Sequence, residues 1–114
     1  MLANFKTNTI AQIHLFNLFT PLILRGTAKK VIAISSGHAD VDLVTKFNVA
    51  TAGVYTISKA ALNMAVAKFS AEYSADGVLF LSLSPGMVDT GGFADCMFIY
   101  FTVRCKEQAN YLEQ

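Results

Sequence analysis

The chain has 114 residues, of which 54% are hydrophobic and 15% are charged, so it suits one folded domain and is too apolar for a disordered tail. Nine basic and eight acidic side chains are spread along it and leave a formal net charge of +1. A basic face strong enough to hold a phosphate backbone is therefore not expected, and the sequence predicts no nucleic-acid partner.

Hydropathy and residue spacing narrow the class of protein further. No apolar run approaches the roughly 18 residues of a membrane span, and no leader pattern opens the chain, so we expect a cytoplasmic protein with no membrane partner. His14 and His38 are far apart and have no cysteine or carboxylate partner at metal-ligand spacing. The sequence therefore predicts no metal site.

The first predicted element is a helix over residues 4–24, where apolar side chains recur at helical spacing. They form two neighbouring rows, Phe16, Phe19 and Ile23 beside Leu15, Leu18 and Leu22. Two such rows indicate a wide buried face. Pro21 is expected to kink or loosen the last turn, and Gly26 is expected to end the helix.

A short strand is predicted next, in "KKVIAISSG" at residues 29–37, because the run is apolar and β-branched. Such a run is typical of a strand buried on both faces. The segment "HADVDLVTKFNVATA", residues 38–52, has no sustained period and predicts a long loop. It is either a substrate-side lid or an ordinary surface excursion.

A second long helix is predicted over residues 54–76, rich in helix-forming residues and stopped by Gly77. Its apolar stripe consists of Leu62, Val66, Phe69 and Tyr73. A second buried strand follows in "VLFLSLS", residues 78–84. The order helix, strand, helix, strand predicts an α/β fold with parallel strands, since each crossover is long enough to contain a helix.

Tyr55 and Lys59 lie four residues apart and share one face of the second long helix. A lysine cation held beside a tyrosine favours the phenolate, which suits a general acid or base. The same spacing also occurs by chance, as a buried aromatic ring beside a solvated amine.

The context of this pair favours the catalytic interpretation. Ligands of open parallel sheets bind at the carboxyl ends of the strands, where Tyr55, the serines of "SSG" and the turn at Pro85 and Gly86 would converge. Ser35 or Ser36 would then donate a hydrogen bond to a substrate carbonyl oxygen, unless these serines only cap a turn.

These features together resemble the short-chain dehydrogenase and reductase family. Four of its elements occur in order, an asparagine in "KTNTIAQ", the serine pair, "YTISKAALN" and "PGMVDT", and they cover residues 4–92. The resemblance implies that Tyr55 is the proton donor or acceptor and that Lys59 supports it and binds the nicotinamide ribose. It further implies that Ser36 orients the substrate carbonyl and that Asn8 holds a water in the proton relay.

The resemblance also implies a cofactor site and a reaction. Pro85 and Gly86 belong to the cofactor-binding turn, in which Val88 by its backbone and Thr90 by its hydroxyl hold the nicotinamide carboxamide. The cofactor would be NAD or NADP, and the substrate a small carbonyl compound or alcohol. The 19 residues from Ser36 to Tyr55 are more than is usual in the family, which leaves Ser35 as an alternative.

The glycine-rich turn that receives a dinucleotide pyrophosphate is not found in this sequence. The seven glycines are at positions 26, 37, 53, 77, 86, 91 and 92. Together with this, the resemblance implies a partial Rossmann-type, doubly wound fold whose first four strands and adenosine-binding half are missing, with a catalytic half at residues 4–92 and a divergent tail at 93–114.

Three interpretations of such a chain remain open. It is an active but truncated oxidoreductase, an inactive interaction module that pairs with a full-length homologue, or a truncation that does not fold stably. The resemblance implies that its two helices, residues 4–24 and 54–76, build a homo-oligomer interface, and the apolar surface that two remaining strands leave uncovered also favours association.

Overall fold

A computed structural model of the protein describes residues 1–86 and shows an α/β structure with parallel strands, as the sequence predicts. In chain order its elements are α1 (Leu2–Phe5), a π-helical turn (Lys6–Ile10), α2 (Ala11–Arg25), β1 (Lys30–Ile34), a 3₁₀ turn (Gly37–Ala39), α3 (Val41–Phe47), α4 (Gly53–Glu72) and β2 (Leu79–Leu83). The predictions for Val88, Thr90 and the tail at 93–114 lie outside the described residues.

The first helical region runs from α1 through the π-helical turn into α2 without a break, in agreement with the helix predicted over residues 4–24. Pro21 lies inside α2, which continues to Arg25. The helix ends where predicted: the amide of Gly26 donates to the carbonyls of Leu22 and Ile23 at 3.1 and 3.0 Å.

The wide buried face predicted for this helix is wrong. Phe16 is buried, but Leu18 is 67% exposed, and Leu15 and Leu22 on the same row are exposed as well. A helix with two apolar rows needs neighbours on two sides, whereas the described elements pack against the Phe16 side. The second apolar row of α2 is therefore an open surface of residues 1–86.

The sheet consists of β1 and β2, paired in parallel with Lys30 opposite Leu79 and Ile34 opposite Leu83. Burial of both strand faces was predicted, and this is wrong for β1. Ala33 is buried beneath the helices, while Ile32 on the opposite face is 57% exposed. The described helices cover one face of the sheet, so successive side chains of β1 alternate between core and open surface.

The long loop predicted over residues 38–52 is also wrong, because this segment contains α3. Asp40 caps its N-terminus: Oδ1 accepts hydrogen bonds from the amides of Asp42 and Leu43 at 2.9 and 3.1 Å. Asn48 ends the helix in the left-handed conformation, at φ 51°. Seven residues make two turns, too few to display a sustained hydrophobic period.

The core lies between the sheet and the long helices and uses the apolar stripe predicted on α4. Its buried members are Phe16, Ala33, Leu62, Val66, Val78 and Phe80, with Ile23, Leu24, Val31, Phe69 and Tyr73 packed against them. None of the helices within residues 1–86 is long and apolar enough to cross a membrane.

Candidate active site

The candidate site lies at the carboxyl ends of the two parallel strands. Ser35 and Ser36 follow β1, and Pro85 and Gly86 follow β2 with Ser84 between. The ladder continues to this end, since the amide of Ser35 donates to the carbonyl of Leu83 at 2.7 Å. The structure therefore places both predicted turns at the carboxyl ends of the strands, where ligands of parallel sheets bind.

Tyr55 and Lys59 occupy the first two turns of α4. The Lys59 ammonium lies 5.9 Å from the centre of the Tyr55 ring, within the range of a cation–π contact. It also donates a hydrogen bond of 2.8 Å to the carbonyl of Ile34, the last residue of β1. The Tyr55 side chain is 37% exposed, so a ligand can reach it.

The Ile34 carbonyl lies on the outer edge of β1. The carbonyl of Lys29 accepts from the amide of Leu79 at 2.9 Å, so residues 29 and 35 both turn their backbone groups towards β2. Alternate residues of a strand face opposite neighbours, so Ile34 faces the edge along which no strand of residues 1–86 runs. Lys59 thus donates to a carbonyl on the side of β1 that pairs with no strand of residues 1–86, next to Tyr55.

Partial burial lowers the pKa of Lys59 below its ordinary value, because the ammonium loses part of its water shell. Its described neighbours are the Ile34 carbonyl and the Tyr55 ring, both uncharged. A partly desolvated lysine at the carboxyl end of a strand is a candidate functional residue.

The structure distinguishes the two serines that the sequence leaves open. Ser35 is buried, and its hydroxyl donates a 2.6 Å hydrogen bond to Oδ1 of Asn63 on α4. Ser36 is half-buried, and its hydroxyl oxygen accepts from the amide of His38 at 3.3 Å. A hydroxyl that accepts one bond keeps its own proton to donate, so Ser36 retains a donor for a ligand.

Asn8 lies in the π-helical turn, and turns of this kind are frequent at functional sites. Its Nδ2 atom donates to the hydroxyl oxygen of Ser58 at 3.0 Å, so it is joined to α4 one residue before Lys59. Of the predicted set, the structure thus assembles Asn8, Ser36, Tyr55 and Lys59 around the start of α4 and the end of β1.

Sequence reasoning missed Ser58, which connects Asn8 to α4, and Asn63, which connects α4 to Ser35. Ser58 is 0% exposed and lies on the stripe of α4 that includes Leu62 and Val66. A small polar residue in line with buried apolar residues was the available signal, because buried hydroxyls are nearly always hydrogen-bonded.

The donor groups at this edge suit the nicotinamide-ribose half of a dinucleotide. An ammonium and a phenol on one helix face can bind ribose hydroxyls, and Gly86, at φ +73°, gives a turn without a side chain. No glycine-rich turn for a pyrophosphate occurs among the glycines of this chain. The fit therefore extends to one half of such a cofactor.

Sequence comparison identifies the family. The sequence model of short chain dehydrogenases matches residues 2–96, and the chain belongs to this family. Family members are oxidoreductases, and the parallel α/β arrangement agrees with that assignment. Comparison with solved structures gave no significant match.

Several curated fungal proteins are similar to the chain. The short chain dehydrogenase virK of Hypocrea virens is 59% identical over 90 residues, which are 79% of this chain and 33% of that protein. The short-chain dehydrogenase/reductase iacC of Pestalotiopsis fici is 56% identical over 89 residues, 78% of this chain and 33% of that protein. An uncharacterized oxidoreductase of Schizosaccharomyces pombe, C663.09c, is 31% identical over 112 residues, 98% of this chain and 43% of that protein. The chain thus spans about a third of the length of the two more similar relatives.

Proposed function

We propose that this chain carries the catalytic half of an NAD- or NADP-dependent oxidoreductase that interconverts a small carbonyl compound and an alcohol. The observation that carries the proposal is the placement of Tyr55 and Lys59 on one face of α4, with Lys59 bonded to the end of β1. Ser36 and the Pro85–Gly86 turn lie at the same edge of the sheet. The substrate binds at this edge, against the exposed Tyr55 ring.

Proton transfer is the task of Tyr55 in this proposal. Its hydroxyl gives a proton to the substrate oxygen during reduction and takes one back during oxidation. The Lys59 cation favours the phenolate that remains, and the Ser36 hydroxyl donates to the same substrate oxygen as charge develops on it. Asn8 holds the water through which the proton is exchanged with solvent.

Lys59 and Tyr55 are the described residues that would hold the nicotinamide ribose, and the Pro85–Gly86 turn would support the ring. Val88 and Thr90, outside the described residues, complete the proposed cofactor set. The bound nicotinamide supplies or accepts the hydride, and the protein contributes placement and proton transfer. The proposal also includes a doubly wound fold in which β1 and β2 are two strands of a larger sheet. It draws on the finding that the chain covers about a third of the length of its two more similar relatives.

Titration of NADH and of NADPH into the purified chain, followed by cofactor fluorescence, tests the proposed function. Saturable binding of either cofactor is the expected result, because the Lys59 ammonium and the Tyr55 hydroxyl would hold the nicotinamide ribose. Fluorescence that changes only in proportion to the cofactor added would contradict the proposal.

The two serines give a prediction with opposite outcomes for neighbouring residues. Ser36→Ala is expected to lower turnover roughly tenfold to a thousandfold with little change in stability, because it removes a donor to the reacting oxygen. Ser35→Ala is expected to lower the free energy of unfolding by about 1–3 kcal/mol, because Asn63 Oδ1 loses its buried donor. Steady-state kinetics and urea unfolding of both variants measure this. The reverse pattern would identify Ser35 as the substrate-facing serine.

A second candidate function is an inactive interaction module. It is favoured by the exposed apolar side chains of both long helices, Leu15, Leu18 and Leu22 on α2 with Ile57 and Met64 on α4. Exposed apolar patches of this kind mark protein interfaces. The partner would be a second copy of the chain or a full-length homologue.

Self-association can be tested with two variants, each of which adds one lysine to α2 at a neighbouring position. Leu18→Lys is expected to weaken association about tenfold or more, because it places a cation where an apolar contact would be buried. Asn17→Lys adds the same charge on an exposed position of α2 outside the apolar row and is the matched control. Sedimentation velocity over a range of concentrations measures both. Equal effects of the two variants would place the interface elsewhere.

A further inference from the structure

Ser58 is the point at which the π-helical turn and the start of α4 are joined. Its side chain is fully buried, and its hydroxyl oxygen accepts a hydrogen bond of 3.0 Å from Asn8 Nδ2. The same hydroxyl donates to the carbonyl of Tyr55 at 2.7 Å. The carbonyl of Ser58 accepts a third bond, of 2.8 Å, from the hydroxyl of buried Thr9.

These three bonds converge on the segment of α4 that carries the proposed catalytic pair. In an α-helix the carbonyl of residue 55 also accepts a hydrogen bond from the amide of residue 59. The Ser58 hydroxyl and the Lys59 amide therefore share the Tyr55 carbonyl as their acceptor. The first turn of a helix normally frays, because its amides have no partners within the helix. Here α4 begins without a side-chain cap, so its first turns depend on other contacts.

We propose that Ser58 is a positioning residue that fixes the first two turns of α4, and with them Tyr55 and Lys59, against the π-helical turn that carries Asn8. The inference rests on the proposed function for the roles of Tyr55 and Lys59. Asn8 and Thr9 are adjacent in sequence and both reach Ser58, which couples the turn to α4 through the side chain and the backbone of one residue.

A simpler role, close packing between two helices, requires only that residue 58 be small. Ser70 provides the comparison, since it is a buried serine on the same stripe of α4, 12 residues further along and away from the π-helical turn. Replacing either serine with alanine removes one buried hydroxyl and conserves the size. Only the change at Ser58 deprives Asn8 of its acceptor.

The position of the Lys59 ammonium reports on this coupling without any measurement of turnover. In the full chain labelled with ¹³C-lysine, the Lys59 Cε resonance is assigned from its loss in Lys59→Arg and titrated with pH. Ser58→Ala is expected to shift the titration of Lys59 upwards, because a loosened first turn returns the ammonium to water. Ser70→Ala is expected to leave that titration as in the unchanged protein.

Identical Lys59 titrations in Ser58→Ala and Ser70→Ala would overturn the proposal and leave Ser58 a packing residue. If Ser58→Ala does not fold, Thr9→Val removes the bond to the Ser58 carbonyl while conserving side-chain shape. It is expected to shift the Lys59 titration in the same direction, and an unchanged titration would equally overturn the inference. The Lys59 titration is measured without cofactor or turnover, so it gives an answer about Ser58 even if the chain proves not to bind NADH or NADPH.

Discussion

Replacing Tyr55 with phenylalanine is expected to lower turnover by roughly 100- to 10,000-fold, the usual contribution of a positioned general acid or base. The substitution removes one hydroxyl and keeps the aromatic ring beside Lys59. Cofactor affinity should fall far less than turnover, because only one of the two groups that would hold the ribose is removed and Lys59 remains bonded to the carbonyl of Ile34. A loss confined to the rate of the chemical step is the signature of a group that acts in the transition state.

Tyr73→Phe is the matched control for this experiment. The Tyr73 ring lies 6.2 Å from Phe69 and 6.0 Å from Phe80, so it belongs to the core packing and lies beyond the last turn of α4, far along the helix from Tyr55. Turnover of each variant is measured under saturating cofactor and compared with its fluorescence titration. Turnover retained in Tyr55→Phe, or lost equally in both variants, would remove Tyr55 from the proposed reaction.

The sequence predicts those parts of the fold that rest on local pattern. A helix is predicted over 54–76 and the structure has it at Gly53–Glu72, four residues shorter at its C-terminal end. Its existence and its stripe of Leu62 and Val66 follow from apolar residues at helical spacing, which is a property of one segment. Parallel pairing follows from crossovers long enough to contain a helix. Both predictions are confirmed because they need no knowledge of distant contacts.

Exposure depends on neighbours that a local pattern does not reveal. Ile32 and Leu18 are large apolar side chains of the kind that is usually buried, yet each lies on a face that no described element covers. Local geometry can also escape the pattern. Helix α4 starts after Ala52, which adopts a left-handed φ of 57° without a side-chain cap, although glycine or asparagine would suit that conformation better.

The candidate site shows the same division between local and tertiary information. Tyr55 and Lys59 can be paired from spacing alone, since residues i and i+4 share a helix face. Ser35 and Ser36 are equivalent in the sequence, and only the bond from Ser35 to Asn63, 28 positions away, separates their environments. Ser58 likewise acquires its connections from residues 49 and 50 positions earlier.

Phe16→Ala is expected to lower the free energy of unfolding by about 3–5 kcal/mol, the usual cost of truncating a buried phenylalanine. The ring is 5% exposed and meets Phe69 and Phe80 edge-on, with ring centres 5.2 and 5.7 Å apart. One side chain of α2 therefore contacts both α4 and β2. Typical domains are stable by roughly 5–15 kcal/mol, so this loss is a large fraction of the total.

Phe19→Ala removes the same atoms from the same helix and is the control, because Phe19 is 47% exposed. Its expected cost is about 1 kcal/mol or less, since little apolar contact is lost on an open face. Urea unfolding of both variants, followed by circular dichroism, measures the difference at concentrations where the chain is monomeric. Equal losses would mean that Phe19 is covered in solution as fully as Phe16, so that another part of the chain lies over it. A larger loss at Phe16 would instead show that α2 is held mainly through the side chain that docks it on α4 and β2.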